Sequence, residues 1–248
     1  MRWCRSPRVG PERIELLDAG VGTAAEQAEA YRLLGVVNER LGGYRTTFRA
    51  LDELGIGAGA KGLVFVDVAG GDGAFAERLA TWSLEHGRRA MAVDLDLNPA
   101  ALSTARGRDG VASVRGDAHQ LPLGDGVADC VHASAFFHHL GVEEARDLLS
   151  EMCRASRRLV IVNDLVRSRL AAAAIWFLAR ILTDNHLVQV DGPLSVRKAF
   201  VPDELKAIAR AVGATEARDF RWRLERVFPY RMALVGVRIE EAGAREAR

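Results

Sequence analysis

The sequence predicts an α/β fold: a mostly parallel sheet flanked by helices, with a helical segment in front and two strands closing the C-terminus. Three observations predict it. Between residues 62 and 164, short apolar runs alternate with helix-periodic segments, the pattern of parallel strands joined by right-handed crossovers. A glycine-rich turn, "DVAGGDG" at 67–73, separates the first strand of that alternation from its first helix. After the fifth strand the alternation breaks, and "ARDFRWRLERVFPYRMALVGVRIE" reads as two strands, about 217–226 and 231–239.

Taken in order, residues 12–18 and 24–55 read as helical. Ala28, Leu33, Leu34, Val37 and Leu41 recur at helical spacing, and Gly42-Gly43 should end one helix and let the next begin. "GIGAGAKG" at 55–62 reads as a flexible junction. Residues 1–60 are therefore expected to form an N-terminal helical cap. Residues 61–240 should form the main domain, and 241–248 a frayed tail. Strands are expected at 62–68, 89–96, 111–115, 128–134 and 158–164, with helices at 73–86, 99–107 and 142–155. Next come an apolar helix over 167–183, an irregular stretch "TDNHLVQVDGPLSVRKAF", and a helix opening at Pro202.

Composition narrows the function. A chain of 248 residues with formal net charge +1 has no strong pull toward nucleic acid or an anionic membrane. Cys4, Cys130 and Cys153 are far apart and show no metal-ligand spacing, so no metal is expected, and reduced thiols in a cytoplasmic protein are. No apolar stretch follows the basic N-terminus, which argues against a signal peptide. The apolar run at 170–179 is shorter than the ~20 residues that span a bilayer. It reads as a buried helix, a lid over an apolar pocket, or an interfacial helix.

The glycine turn admits two cofactors. Gly71-x-Gly73-x-x-Ala76 fits the dinucleotide fingerprint; Asp67-x-Ala69-x-Gly71-x-Gly73 fits an S-adenosylmethionine pattern with Ala at its first glycine position. Both need a glycine turn leading into a helix N-terminus, and both want an acid ending the second strand to hold ribose hydroxyls. Asn98 as N-cap and Pro99 at the first helical position make Asp96 that acid, with Asp94 on the same strand face in reserve. Asp117, at the end of the third strand, suits an adenine amine, and the Ala118 backbone suits the ring edge. The dinucleotide fingerprint does not require that segment.

"DVAGGDG", "DLNPAAL", "GDAHQLPLGDGVAD" and "FFHHL", in this order and spacing, resemble a class I S-adenosylmethionine-dependent methyltransferase, over about residues 60–165. They are most similar to the ubiquinone and menaquinone methyltransferase branch. The resemblance implies a Rossmann-like seven-stranded sheet with an antiparallel C-terminal strand and S-adenosyl-L-methionine as cofactor. It implies that Asp67, Ala69, Gly70, Gly71 and Gly73 cradle the methionine moiety, Asp96 binds ribose, and Asp117 and Ala118 bind adenine. Ser134 would end the fourth strand beside the cofactor. The lysine-proline-glycine-glycine turn usual before strand five of that branch is replaced by "EMCRASRRLVIVNDLVRS". The "VNDLVRS…DGPLSVRKAFVPDEL" segments resemble bacterial methyltransferases associated with phenolic polyketides, a role in secondary metabolism.

Chemistry is expected at the carboxyl ends of the strands. His138 and His139 follow strand four, and a histidine suits proton abstraction from a phenol near neutral pH. Asp164 follows strand five as a base or its orienter. Arg167, and Arg197 in what reads as a long loop, suit an anionic group of the acceptor. Trp176 and Phe177, with Tyr31, Leu34, Val37 and Tyr44, are expected to roof an apolar pocket. His132, inside strand four, reads as a satisfied core residue. These readings give methyl transfer, to oxygen or carbon, on a small, apolar, aromatic acceptor. No nucleic-acid partner is expected, and a homodimer is left open. The alternatives are a nicotinamide-dependent oxidoreductase and a non-catalytic S-adenosylmethionine-binding protein.

Overall fold

The computed structural model describes residues 7–40, 42–53, 55 and 62–239. The 55–62 junction lies largely outside them, and the 241–248 tail entirely so. Seven strands form one sheet: β1 (Leu63–Val68), β2 (Ala90–Asp96), β3 (Val111–Arg115), β4 (Ala128–Ser134), β5 (Ser156–Leu165), β6 (Phe220–Val227) and β7 (Arg231–Arg238). Their order is β3-β2-β1-β4-β5-β7-β6. The first five are mutually parallel; β7 is antiparallel to β5 and to β6. This is the Rossmann-like sheet with a reversed C-terminal strand, as expected.

β1, β4 and β5 are largely buried because helices cover both faces. One face packs Val66, Val68 and Val131 against α5 (Val142–Ala155) and α8 (Pro202–Thr215). The other packs Phe65, Cys130 and Ile161 with α2 (Gly43–Glu53) and α3 (Ala74–Glu85), where Tyr44, Phe75 and Trp82 fill the space. Chain order reverses between β1 and β4, so the connections leave their carboxyl ends toward opposite sides, the place where open α/β sheets bind ligands. α4 (Pro99–Ala105) starts at Asn98, whose side chain accepts from the Ala100 N–H, and Pro99 follows the cap.

Four expectations need correction. Residues 12–18 are turns, not a helix. The Leu16 and Leu17 N–H groups donate to the Asp191 carboxylate at 2.8 and 3.0 Å, and those bonds to a distant residue replace helical ones. The stretch after residue 183 is ordered: His186–Lys198 is a helix, α7, with Asn185 as N-cap and Pro193 inside it. Gly192 lets α7 lie against α6 (Arg169–Leu182); a Cβ there would come within 2.9 Å of Ile175. α1 (Ala24–Arg40) buries only Ala30, whereas Leu34 and Val37 face solvent. Trp176 and Phe177 on α6 are likewise half exposed or more, and Arg180 stacks on Trp176. Tyr44 also lies in the core, its ring 4.7 Å from Phe75, rather than lining a pocket.

Candidate functional site

The β1–α3 turn is shaped by left-handed backbone at Ala69, Gly71 and Gly73. Ala69 donates its N–H to the Leu95 carbonyl at 2.7 Å, which draws the turn against the end of β2. Gly70 has no room for a side chain: a Cβ would lie 2.1 Å from Asp94 Oδ1 and 2.7 Å from Asp67 Oδ2. Asp96 accepts from the Gly71 N–H at 2.9 Å and the Asn98 N–H at 2.8 Å, so it fastens the turn to the start of α4. Arg108 closes the outer side, bonded to the Asp72 and Glu77 carboxylates at 2.6 Å. Asp67, Ala69, Gly70, Gly71, Gly73, Asp94 and Asp96 thus converge on one spot.

Asp117 and Ala118 follow β3 next to it, because the Gly116 N–H donates to the Asp96 carbonyl. Asp117 is exposed, with one oxygen accepting from the His119 N–H. Ser134 ends β4; its hydroxyl is buried without a partner among the described residues. From above, Tyr31 of α1 covers the turn: its ring edge is 3.9 Å from where a Gly71 Cβ would stand, and its hydroxyl is 3.4 Å from Asn98 Nδ2.

Beneath the turn, strand register builds a polar row. Ser113, Asp94, Asp67 and His132 are successive partners across β3, β2, β1 and β4. Asp67 Oδ1 is 2.8 Å from His132 Nδ1. His132 is therefore only half satisfied: its Nε2, both Asp94 oxygens and the Ser113 hydroxyl are buried without partners among the described residues. Burial, then the charges of Asp67, Asp96 and Asp72, push the Asp94 carboxyl up to about 8. Burial also raises Asp67, against the opposing hydrogen bond and charge of His132.

A second cluster follows β4. Phe137–His139 form a 3-10 turn. The Asp164 carboxylate accepts from the His138 N–H at 2.8 Å and meets His138 Nδ1 at 2.8 Å. Burial would raise Asp164, but the charge and hydrogen bond of His138 outweigh it and hold the carboxyl below its usual value. His139 is less buried, at 20 % side-chain exposure, and its Nδ1 is 2.8 Å from Asp18 Oδ2. Glu15 links the two rings, with Oε1 3.7 Å from His138 Nε2 and 4.0 Å from His139 Nδ1. Burial raises its carboxyl, opposed by His139 and Lys198. Glu15, His138 and His139 are spaced as metal ligands could be. The chain brings its own cation there, however: Lys198 Nζ is 3.3 Å from Glu15 Oε1 and 3.5 Å from His139 Nδ1. Arg8 holds the N-terminal segment over this cluster through the Lys198 and Leu140 carbonyls, both at 2.6 Å.

Three residues expected at the acceptor, Arg167, Arg197 and Trp176, are not in this cluster. Arg167 is buried and spent on Glu204 and the Ala199 carbonyl, at 2.7 and 2.9 Å, rather than on Asp164 or a ligand. Arg197 is exposed on α7, not in a loop. Trp176 faces solvent. Glu15 and Asp18 are the functional candidates that sequence reasoning missed; Tyr31, expected over an apolar pocket, instead covers the glycine turn. Glu15 and Asp18 meet the histidine pair only through contacts some 120 residues apart, and no local pattern marks them.

Residues 66–159 match the model of the methyltransferase domain family. No curated protein matches the chain. Among solved structures, an S-adenosylmethionine-dependent methyltransferase from Aquifex aeolicus is 15 % identical, with TM-score 0.59, covering 86 % of this chain and 98 % of that one. The plantazolicin methyltransferase BpumL, in complex with a monoazolic desmethyl substrate analogue and S-adenosylhomocysteine, has TM-score 0.65 at 10 % identity, covering 86 % and 90 %. The magnesium protoporphyrin IX methyltransferase of Synechocystis PCC 6803, with S-adenosylhomocysteine bound, has TM-score 0.53 at 16 % identity, covering 80 % and 84 %. The match to a methyltransferase domain is consistent with the S-adenosylmethionine reading of the glycine turn. The glycine turn agrees with it: Gly70 leaves no Cβ volume, Asp96 ends β2, and the Ser134 hydroxyl has no partner among the described residues.

Proposed function

We propose that this chain, an S-adenosyl-L-methionine-dependent methyltransferase by its domain, methylates a small, apolar, aromatic hydroxylated acceptor, with His139 as the base. The cofactor supplies a methyl group on a sulfonium, open to in-line displacement. Asp67, Ala69, Gly70, Gly71 and Gly73 would hold its methionine end, Asp96 its ribose, and Asp117 with the Ala118 backbone its adenine. Tyr31 shields this site from the α1 side.

The acceptor would enter beside the carboxyl end of β4. Of the two histidines, His139 is the one with exposed surface, and Asp18 at Nδ1 leaves Nε2 free to take the acceptor's hydroxyl proton. Phe136 stacks beside His139 at 5.9 Å and would give an aromatic acceptor an apolar wall. His138 is a positioning residue: with Asp164 it holds the 3-10 turn that presents its neighbour. Glu15 and Lys198 set the charge behind both rings. Alignment of acceptor and methyl group supplies much of the remaining acceleration.

The observation that carries this reading is the Asp18–His139 pair just beyond the carboxyl end of β4, the strand that pairs with β1. The test is a labelled-methyl transfer screen on phenols, naphthols and polyketide-like aromatics. Transfer to one of them, lost in His139→Ala, is expected. Cofactor binding with no transfer across the panel would instead favour a non-catalytic binder.

A further inference from the structure

The Ser113–Asp94–Asp67–His132 row is unusual for what it leaves unpaired. Asp94 is fully buried, one residue position beneath Gly70, and neither of its oxygens has a partner among the described residues. Its neighbour in register is a second carboxylate, Asp67, already engaged by His132. A buried carboxylate beside another carboxylate, with no donor of its own, is not stable as an anion. The groups facing the row are known from every element packed on it. Asp96 closes β2, and Asp72 lies in the turn. Arg108 is committed to Asp72 and Glu77. Cys130 on β4 and Tyr44 on α2 are buried with their acidities suppressed by burial and by the charge of Asp67. Phe75 of α3 lies over His132, with ring centroids 4.2 Å apart. Among the described residues, no basic side chain is hydrogen-bonded to Asp94.

We propose that this row is a charge compensator for a cationic cofactor: Asp94 keeps a proton in the free protein and releases it to solvent when S-adenosylmethionine occupies the turn. Bound at this turn, the sulfonium would bring one positive charge, which would favour ionisation of the carboxylate that lies against Gly70. Once the methyl group has left, the sulfur is neutral and carries no such charge. Asp94 then takes a proton back, and the product loses the attraction that held the substrate form. The row thereby favours loaded cofactor over spent product. This inference rests on the cofactor reading above.

The test is calorimetric titration of the whole protein at about pH 7 in two buffers of different protonation enthalpy. S-adenosylmethionine should release on the order of one proton per site, and S-adenosylhomocysteine distinctly less. Asp94→Asn, close in shape to the protonated acid, should bind S-adenosylmethionine with no buffer dependence and should narrow the preference for it over S-adenosylhomocysteine. Binding of S-adenosylmethionine without proton release by the unmodified protein overturns the inference, as does equal release with both ligands. Release that persists in Asp94→Asn also overturns it. Absence of binding by either ligand overturns the cofactor reading itself.

Discussion

At the scale of single residues, His139 and Gly70 give the sharpest tests. A positioned general base contributes ~10²–10⁴-fold. His139→Ala should therefore lower turnover by about that factor while the dissociation constant for S-adenosylmethionine stays unchanged by calorimetry. A parallel loss of cofactor affinity would place His139 in the wrong site. Gly70→Ala puts a methyl group 2.1 Å from Asp94 Oδ1. Because the Asp94 side chain is enclosed, overpacking should cost about 1–3 kcal/mol, read as a lower denaturant midpoint together with weaker cofactor binding. An unchanged midpoint would mean that the turn has slack which its geometry does not show.

Among the elements, α6 is the one whose role is least like its sequence. Its apolar residues suggest burial, yet Leu170, Phe177, Ile181 and Leu182 are each more than half exposed. Only Ala171 and Ala179 are buried, and Gly192 of α7 supplies the close contact. Phe177→Glu should thus leave the stability of the isolated chain within ~0.5 kcal/mol, measured by urea denaturation; a loss of several times that would show the face to be covered. The strands and α5 were legible because each is a short apolar run or amphipathic helix with its punctuation beside it. α7 was not, since its sequence carries both Gly192 and Pro193, and its packing against α6 overrides their local cost.

For the molecule as a whole, the buried acids link stability to pH. Asp94 has a folded value of about 8, raised above the unfolded one. Its contribution is fully present below about pH 4 and is lost as pH rises through about 8. Asp164, held low first against burial and then by His138, runs the other way: its contribution is present above the unfolded value and lost as pH falls through the folded one. The melting temperature of Asp94→Asn should therefore gain on that of the unmodified protein between about pH 4 and 8. At ~1.4 kcal/mol per pKa unit and ~2–4 °C per kcal/mol, the gap should widen by several degrees; a constant gap in differential scanning fluorimetry would place Asp94 outside that titration. The sequence by itself determined the strands and the helices between them up to β5, the glycine turn and the acids that frame it, because each depends on residues within a few positions of one another. It also singled out the histidine pair. Only the tertiary structure decided that Glu15, Asp18 and Lys198 surround that pair, that Arg167 is spent on Glu204, and that Asp94 stands unpaired beside Asp67. Those facts follow from strand register and chain crossings, which join residues tens to nearly two hundred positions apart and leave no periodicity to read.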